Sequence, residues 1–245
     1  MAIHLFTDFG INDFYVGQVK CALLRHAPAA PVIDLLHQAP LYNPLASAHL
    51  LFALSEHLAA ASVVFAVVDP GVGGSRDAVV VYADGKYFVG PDNGLLSIVA
   101  ARARETQIYR IRWRPEALSS SFHGRDLFAP VAGWLATNTL PSGALEPLSK
   151  LAIEFENTDL GQIIYIDHYG NAIAGIRAQS VAREVGYSCR GVEMVYARTF
   201  SDAENGRAFW YENSLGLVEL ALNRASAAET YGFAIGDAVE LSKLG

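Results

Sequence analysis

Positive charge is sparse in this chain and nowhere clustered. Its 18 Lys and Arg residues face 25 Asp and Glu residues, giving a formal net charge of -7, and no block of Lys or Arg occurs. That leaves no footprint for counterion release from nucleic acid and no polybasic membrane anchor. Small cationic or polar ligands suit the balance better. Cysteine is rarer still: Cys21 and Cys189 stand far apart without zinc-type spacing. Both are expected to be reduced in apolar surroundings, with no structural metal. Long apolar runs are also missing. The longest, His49 to Val68, carries Ser55, Glu56 and His57 near its middle and makes a poor bilayer span. The opening MAIHLFTDFG lacks the basic start, apolar middle and cleavage site of a signal peptide, so a soluble cytoplasmic protein is expected.

What is present is a compact-protein composition, 52% hydrophobic over 245 residues, enough for one large domain or two small ones. The first half alternates short apolar runs with helical patterns: Ile3 to Phe6, an amphipathic stretch Tyr15 to Arg25, then Val32 to Leu35. Asn43-Pro44 is a helix start that leads to a strand at Val63 to Val68, a βαβ crossover. Asp84-Gly85 separates two apolar runs and predicts a hairpin, which makes the sheet mixed. A helix Leu95 to Ala103, a strand Gln107 to Ile111 and a helix Leu127 to Leu135 capped by Asp126 complete this half. Beyond Leu140 to Ser149, short strands recur at turn-limited spacing, predicting a small all-β domain. The expectation is an α/β domain over residues 1–157 and a β-rich domain over 158–245.

Four polar clusters interrupt apolar runs where strands would end: DFGIND at Asp8 to Asp13, DPGVGGSR at Asp69 to Arg76, FHGRD at Phe122 to Asp126, and DHYGN at Asp167 to Asn171. Ligands of open α/β sheets bind at such ends. The second cluster follows Val68, so Asp69 stands at a strand exit, and its glycines permit close approach of backbone and ligand. A tight loop with an Asp cap and a surface Arg is the plain alternative. A phosphate cradle fits worse, because the loop lacks a Lys-Ser/Thr ending and begins with a carboxylate. His123 precedes a helix start and suits an acid, base or donor, or else a structural role. Asp126 reads as a helix cap with Arg125 its solvent-facing neighbour, and Asp167 to Asn171 reads by default as a hairpin turn.

Taken in order, LFTDFGINDFYVGQVK, VVDPGVGGSR, VGPDNGLLS, SFHGRDLFAP, DHYGNAI and NSLGLVELALNR resemble the successive motifs of the adenosine-forming S-adenosylmethionine (SAM) hydrolases. These are also called SAM hydroxide adenosyltransferases and are related to SAM-dependent chlorinase and fluorinase. The resemblance covers nearly the whole chain. It implies an N-terminal α/β domain, a C-terminal barrel-like β domain, and a homotrimer with sites between the N-terminal domain of one subunit and the C-terminal domain of the next. It implies hydrolysis of SAM to adenosine and methionine without metal or other cofactor, with water held by Asp69, Arg76 and His123. Ribose binding falls on Asp13 with Asp8 in support, and methionine contacts on Asp167 and Ser214. Asn171 and Glu219 fall on the adenine side, and Phe122 and Tyr169 on the nucleoside face.

Where the halogenases have Tyr and Ser, this chain has Asp69 and Gly124, and a carboxylate opposes a halide. Hydrolysis is therefore expected over halogenation, or over a non-catalytic SAM or adenosine sensor. The chain departs from the hydrolase pattern at Ala174, Gly175 and Leu215. The chemistry is suited to these residues: the sulfonium leaves as a neutral thioether, so only the attacking water needs help. Arg76 would hold Asp69 ionised by paired hydrogen bonds, with His123 as base or orienting group.

Overall fold

In a computed structural model the chain forms two compact units, one of Met1–Phe52 with Leu58–Asn157 and one of Ala53–His57 with the chain from Thr158 onward. Residues 1–242 are described; positions 243–245 of the expected second domain lie outside the described residues.

The first unit runs β1 (Ile3–Thr7), α1 (Phe14–His26), β2 (Val32–Leu36), α2 (Pro44–Ser55), β3 (Val63–Val67), β4 (Ala78–Ala83), β5 (Lys86–Pro91), α3 (Ser97–Arg102) and β6 (Thr106–Ile111). A π-helical turn, Gly124–Phe128, leads into α4 (Ala129–Thr137), and β7 (Leu145–Leu148) follows. The sheet order is β2-β1-β3-β5-β4-β6-β7. Neighbours from β2 through β5 are parallel, and β4, β6 and β7 join antiparallel. β1 and β3 are buried along their whole length, which is why IHLFT and VVFAV read as unbroken apolar runs rather than alternating ones. The Asn43 carboxamide caps α2, accepting from the Ala46 amide at 3.0 Å. Asp84 and Gly85, both at positive φ, close the expected β4–β5 hairpin with the backbone of a type I′ turn.

Strand β7, within the Leu140 to Ser149 stretch, hydrogen-bonds to β6 as the sheet edge. Two local expectations need correction. Asp126 does not cap a helix; it lies inside the π-turn, where its carboxylate accepts from the Ser119 amide at 3.0 Å and from Arg125 Nε at 2.6 Å. Those bonds, Arg125 foremost, hold its carboxyl below the usual range. Arg125 is likewise engaged, donating to Gln18 Oε1 at 2.7 Å and packing over the Phe122 ring.

The second unit carries β8 (Leu160–Ile166), β9 (Ala172–Arg177), β10 (Gly186–Cys189), β11 (Val192–Tyr196), β12 (Ala208–Glu212), β13 (Leu217–Leu222), α5 (Ala227–Tyr231) and β14 (Glu240–Ser242). Their order is β14-β10-β11-β12-β13-β9-β8, and the sheet is mixed because β11 and β12 run parallel. The two ends of the sheet meet: the Ile163 amide donates to the Asp237 carbonyl, and the Val239 amide to the Gly161 carbonyl, both at 2.9 Å. Trp210 is fully buried in the core, its indole N–H donating to the Val185 carbonyl at 2.9 Å. Against the all-β expectation, this unit includes α5, which Ser226 caps by accepting from the Glu229 amide. Strand β10 is also an addition, since GYSC is too short and mixed to show a period. The cysteines divide: Cys189 is buried, and burial pushes its thiol up to about 11, whereas Cys21 is exposed, contrary to expectation.

Candidate active site

The segment from Val68 to Asp77 leaves β3 and enters β4, and these strands are separated in the sheet by β5. Asp69 is its first polar side chain. Arg76 Nε donates to both Asp69 oxygens at 3.1 Å, and Arg76 Nη2 donates to Asp69 Oδ2 in a further close bond. The pair is largely out of solvent, with side chains 4% (Asp69) and 11% (Arg76) exposed. The guanidinium also packs over the Phe128 ring, 5.2 Å from its centre. Arg76 Nη2 reaches His123 Nδ1 at 3.0 Å. Arginine only donates, so Nδ1 is the acceptor and the neutral ring carries its proton on Nε2. Burial, followed by the Arg76 charge, holds the His123 pKa below its ordinary value, in keeping with that neutral form.

Two glycines let these loops meet. Gly73 lies at φ +79°, and a Cβ there would sit 2.3 Å from the Ser120 carbonyl oxygen, so the 69–76 loop rests directly on the backbone ahead of His123. A Cβ on Gly124 would approach Phe9 Cζ at 3.1 Å and a ring carbon of Phe122 at 3.3 Å. The Phe122 ring packs edge-on against Tyr15 at 5.3 Å and Phe9 at 5.9 Å.

Asp8 lies close enough to Asp69 for that charge to act on it; burial first, and Asp69 in addition, raise its pKa. Its loop is anchored from below, where the Gly10 amide donates to the His37 carbonyl at 2.7 Å and His37 Nδ1 lies 2.8 Å from Thr7 Oγ1. Asp13 is exposed just ahead of α1 and makes no capping bond there. The first unit thus brings Asp69, Arg76 and His123 into one hydrogen-bonded chain, with Asp8 in electrostatic reach.

In the second unit, Asp167 and Asn171 bracket the β8–β9 turn. Asp167 Oδ1 accepts from the amides of Tyr169 (2.9 Å) and Asn171 (2.8 Å), and Oδ2 accepts from Asn171 Nδ2 at 3.1 Å. Asp167, Tyr169 and Asn171 line a cavity of about 700 Å³ together with Phe200, Tyr211 and Arg224. Tyr169 is 76% exposed at its rim. Glu219 is 4% exposed and receives the Tyr211 hydroxyl, Asn213 Nδ2 at 2.8 Å and a bond from Asn171. It does not line the cavity but braces residues that do. Ser214 sits exposed in the Asn213–Gly216 turn, apart from those lining residues. Tyr211, Phe200 and Arg224 are cavity residues that sequence reasoning missed; Tyr211 was findable as the partner across from Glu219 once β12 and β13 were paired. Among the described residues no group of His, Cys, Asp or Glu forms a metal cage.

A family model described as the SAM hydroxide adenosyltransferase N-terminal domain matches residues 3–144, and its C-terminal counterpart matches residues 161–240. The chain belongs to the SAM hydroxide adenosyltransferase family. An (R)-S-adenosyl-L-methionine hydrolase of Thermus thermophilus is 35% identical, covering 98% of this chain and 98% of that protein. A fluorinase of Nocardia brasiliensis, at 26% identity over 98% of this chain and 96% of its own, is more distant. The crystal structure of a conserved protein from Thermotoga maritima superposes with a TM-score of 0.88 at 30% identity, covering 98% of this chain and all (100%) of that one.

One departure from the family's motifs has a structural reason here. A Cβ on Gly175 would lie 2.7 Å from Leu160 Cβ and 2.8 Å from its carbonyl oxygen, so β8 and β9 approach too closely for a larger residue. Ala174 beside it is fully buried. Neither Ala174 nor Gly175 lines the cavity.

Proposed function

We propose that this chain hydrolyses SAM to adenosine and L-methionine, and the observation that carries the reading is the Asp69–Arg76–His123 chain of hydrogen bonds. The attacking water forms a bond from its oxygen to the ribose carbon attached to sulfur. The C–S bond breaks with its electron pair moving to sulfur, so methionine leaves as a neutral thioether. The proton lost by the water passes to a carboxylate oxygen of Asp69 and then to solvent. With Nδ1 turned to Arg76, His123 presents Nε2–H and acts as a donor that orients the water, leaving the acceptor role to Asp69. Orientation of this kind lowers a barrier by about 7–11 kcal/mol in favourable cases.

In this reading the first unit is an α/β domain that carries the reaction centre, with Asp8 and Asp13 on the ribose and Phe122 on the nucleoside. The second is a small barrel whose Asp167 and Ser214 contact the methionine portion and Tyr169 the nucleoside, with Asn171 and Glu219 on the adenine side and Glu219 braced against Asn171. The enzyme works without a cofactor, as a cytoplasmic homotrimer that binds neither nucleic acid nor membrane. The names of the hydrolase relatives and the carboxylate at Asp69 support water over halide as nucleophile. No helix among the described residues is long and apolar enough to cross a membrane.

The test is incubation of purified protein with SAM in ¹⁸O-water, with chloride in one arm. Adenosine carrying the label in its 5′-hydroxyl is expected. Chlorinated adenosine in its place would make the chain a halogenase, and ligand binding without product would make it a sensor. Sedimentation of the same sample reads the trimer.

A further inference from the structure

The sequence GPDNG at Gly90 to Gly94 ends β5, and the reaction-centre residues leave its Asn93 without a role. Because β5 lies between β3 and β4, the loop bearing Asp69 and Arg76 must arch over the end of β5 to connect them. Asp92 and Asn93 sit under both feet of that arch. Asn93 Nδ2 donates to the Val68 carbonyl at 2.9 Å, on the peptide that leads into Asp69. The Asp92 amide donates to the Asp77 carbonyl at 3.0 Å, on the residue that follows Arg76. Asn93 is itself held in place, since its Oδ1 accepts from the Leu95 amide at 3.2 Å. The next residue, Gly94, lies at φ +94°, with the Phe155 ring 2.4 Å from where a Cβ would stand, so the turn after Asn93 has little freedom to move.

We infer that Asn93 is a positioning residue for the Asp69–Arg76 pair: its carboxamide fixes the backbone at the strand exit and thereby the direction in which the Asp69 carboxylate projects. The inference rests on the hydrolase reading above. The loop itself is glycine-rich and exposed from residue 70 through 75, so its interior supplies little rigidity of its own. A side-chain donor to a main-chain carbonyl beside the reacting carboxylate controls orientation and touches neither substrate nor water. Its loss should therefore appear in turnover rather than in substrate affinity.

The experiment compares wild type, Asn93→Asp, Asn93→Ala, Asp69→Asn and Ile111→Val for adenosine release from SAM, with thermal midpoints for each. Asn93→Asp keeps the acceptor for Leu95 and sets an oxygen against the Val68 carbonyl, whereas Asn93→Ala removes the contact without adding charge. Ile111 is a fully buried β6 residue and serves as the control for destabilisation alone. The expected result is a fall in kcat of about 10- to 100-fold for both Asn93 variants, the scale on which small misplacements act. KM for SAM should stay within about threefold of wild type, and Ile111→Val should keep full kcat. Wild-type kcat in both Asn93 variants, alongside inactive Asp69→Asn, would overturn the inference and leave the hydrolase reading standing. A loss no greater than that of Ile111→Val at equal thermal shift would also overturn it. A wild type that releases no adenosine removes the hydrolase reading itself.

Discussion

Arg76 Nη2 is shared between two side chains from separate loops, donating to Asp69 Oδ2 and to His123 Nδ1, the latter at 3.0 Å. One guanidinium therefore fixes the carboxylate, the tautomer of the imidazole and the distance between them. The arrangement serves geometry: paired donation from one planar guanidinium leaves a single conformation available to the Asp69 carboxylate.

The pH profile follows from the His123 ring. Burial and Arg76 hold its pKa below 6.5, so the ring is neutral through the physiological range. Protonation on Nδ1 would turn an acceptor into a donor facing Arg76 and open the contact. The acid limb of kcat is therefore expected below pH 6.5, with a plateau through neutrality. His123→Ala is expected to lower kcat by about 100-fold, the scale on which loss of orientation at the reacting water acts. The measurement is kcat against pH for both proteins, with the variant losing that acid limb.

Arg76→Lys should not behave as a conservative change, because a point-charge ammonium cannot reproduce the two-sided contact to Asp69 and His123. A kcat loss of about 100-fold is expected, as for an orientational defect at the reacting group. Arg76→Ala leaves a nearly buried carboxylate unpaired and should cost about 3–5 kcal/mol of stability. Urea unfolding at pH 7 reads this second effect independently of turnover.

Gly73→Ala tests the contact between the two loops. A methyl group there meets the Ser120 carbonyl and also requires a left-handed backbone, a conformation that costs of order 1–3 kcal/mol when context must enforce it. The loop is expected to move away from Ser120, so kcat should fall with a modest drop in thermal midpoint. Full activity in this variant would show that the loops need not touch.

Glu219 makes a linkage prediction. Burial raises its pKa in the folded protein, so the native state binds a proton that the unfolded chain releases at lower pH. Its contribution to stability is present below the unfolded carboxylate pKa and is lost as pH rises through the folded value. Glu219→Gln removes that titration, and the Tyr211 hydroxyl can turn to accept from the new amide. The stability difference between variant and wild type should therefore shift in favour of the variant from pH 4 to pH 8, read by denaturant midpoints. A pH-independent difference would mean that Glu219 does not titrate there.

Much of the first unit was legible because its signals are local. The Asp84-Gly85 turn, the Asn43 cap and the apolar runs of β1 and β3 each follow from a few adjacent residues. Asp126 misled for the same reason: a carboxylate ahead of a helix pattern looks like a cap, whereas a neighbouring arginine and the distant Ser119 amide claimed it. Strand β7 has no local signal of its own because its partner, β6, lies outside any local window. Asn93 had no chemical signature of its own, since its meaning is the Val68 carbonyl above it.

The chain by itself determined the short-range elements, the order of its polar clusters and, through six motifs in sequence, its family. Spacing along the chain could not state that Arg76 meets His123, 47 residues away, or that the imidazole accepts rather than donates. Those facts depend on β5 lying between β3 and β4 and on Gly73 resting against Ser120. Hydrogen-bond direction and burial are properties of neighbours in space, and only the folded backbone chooses those neighbours.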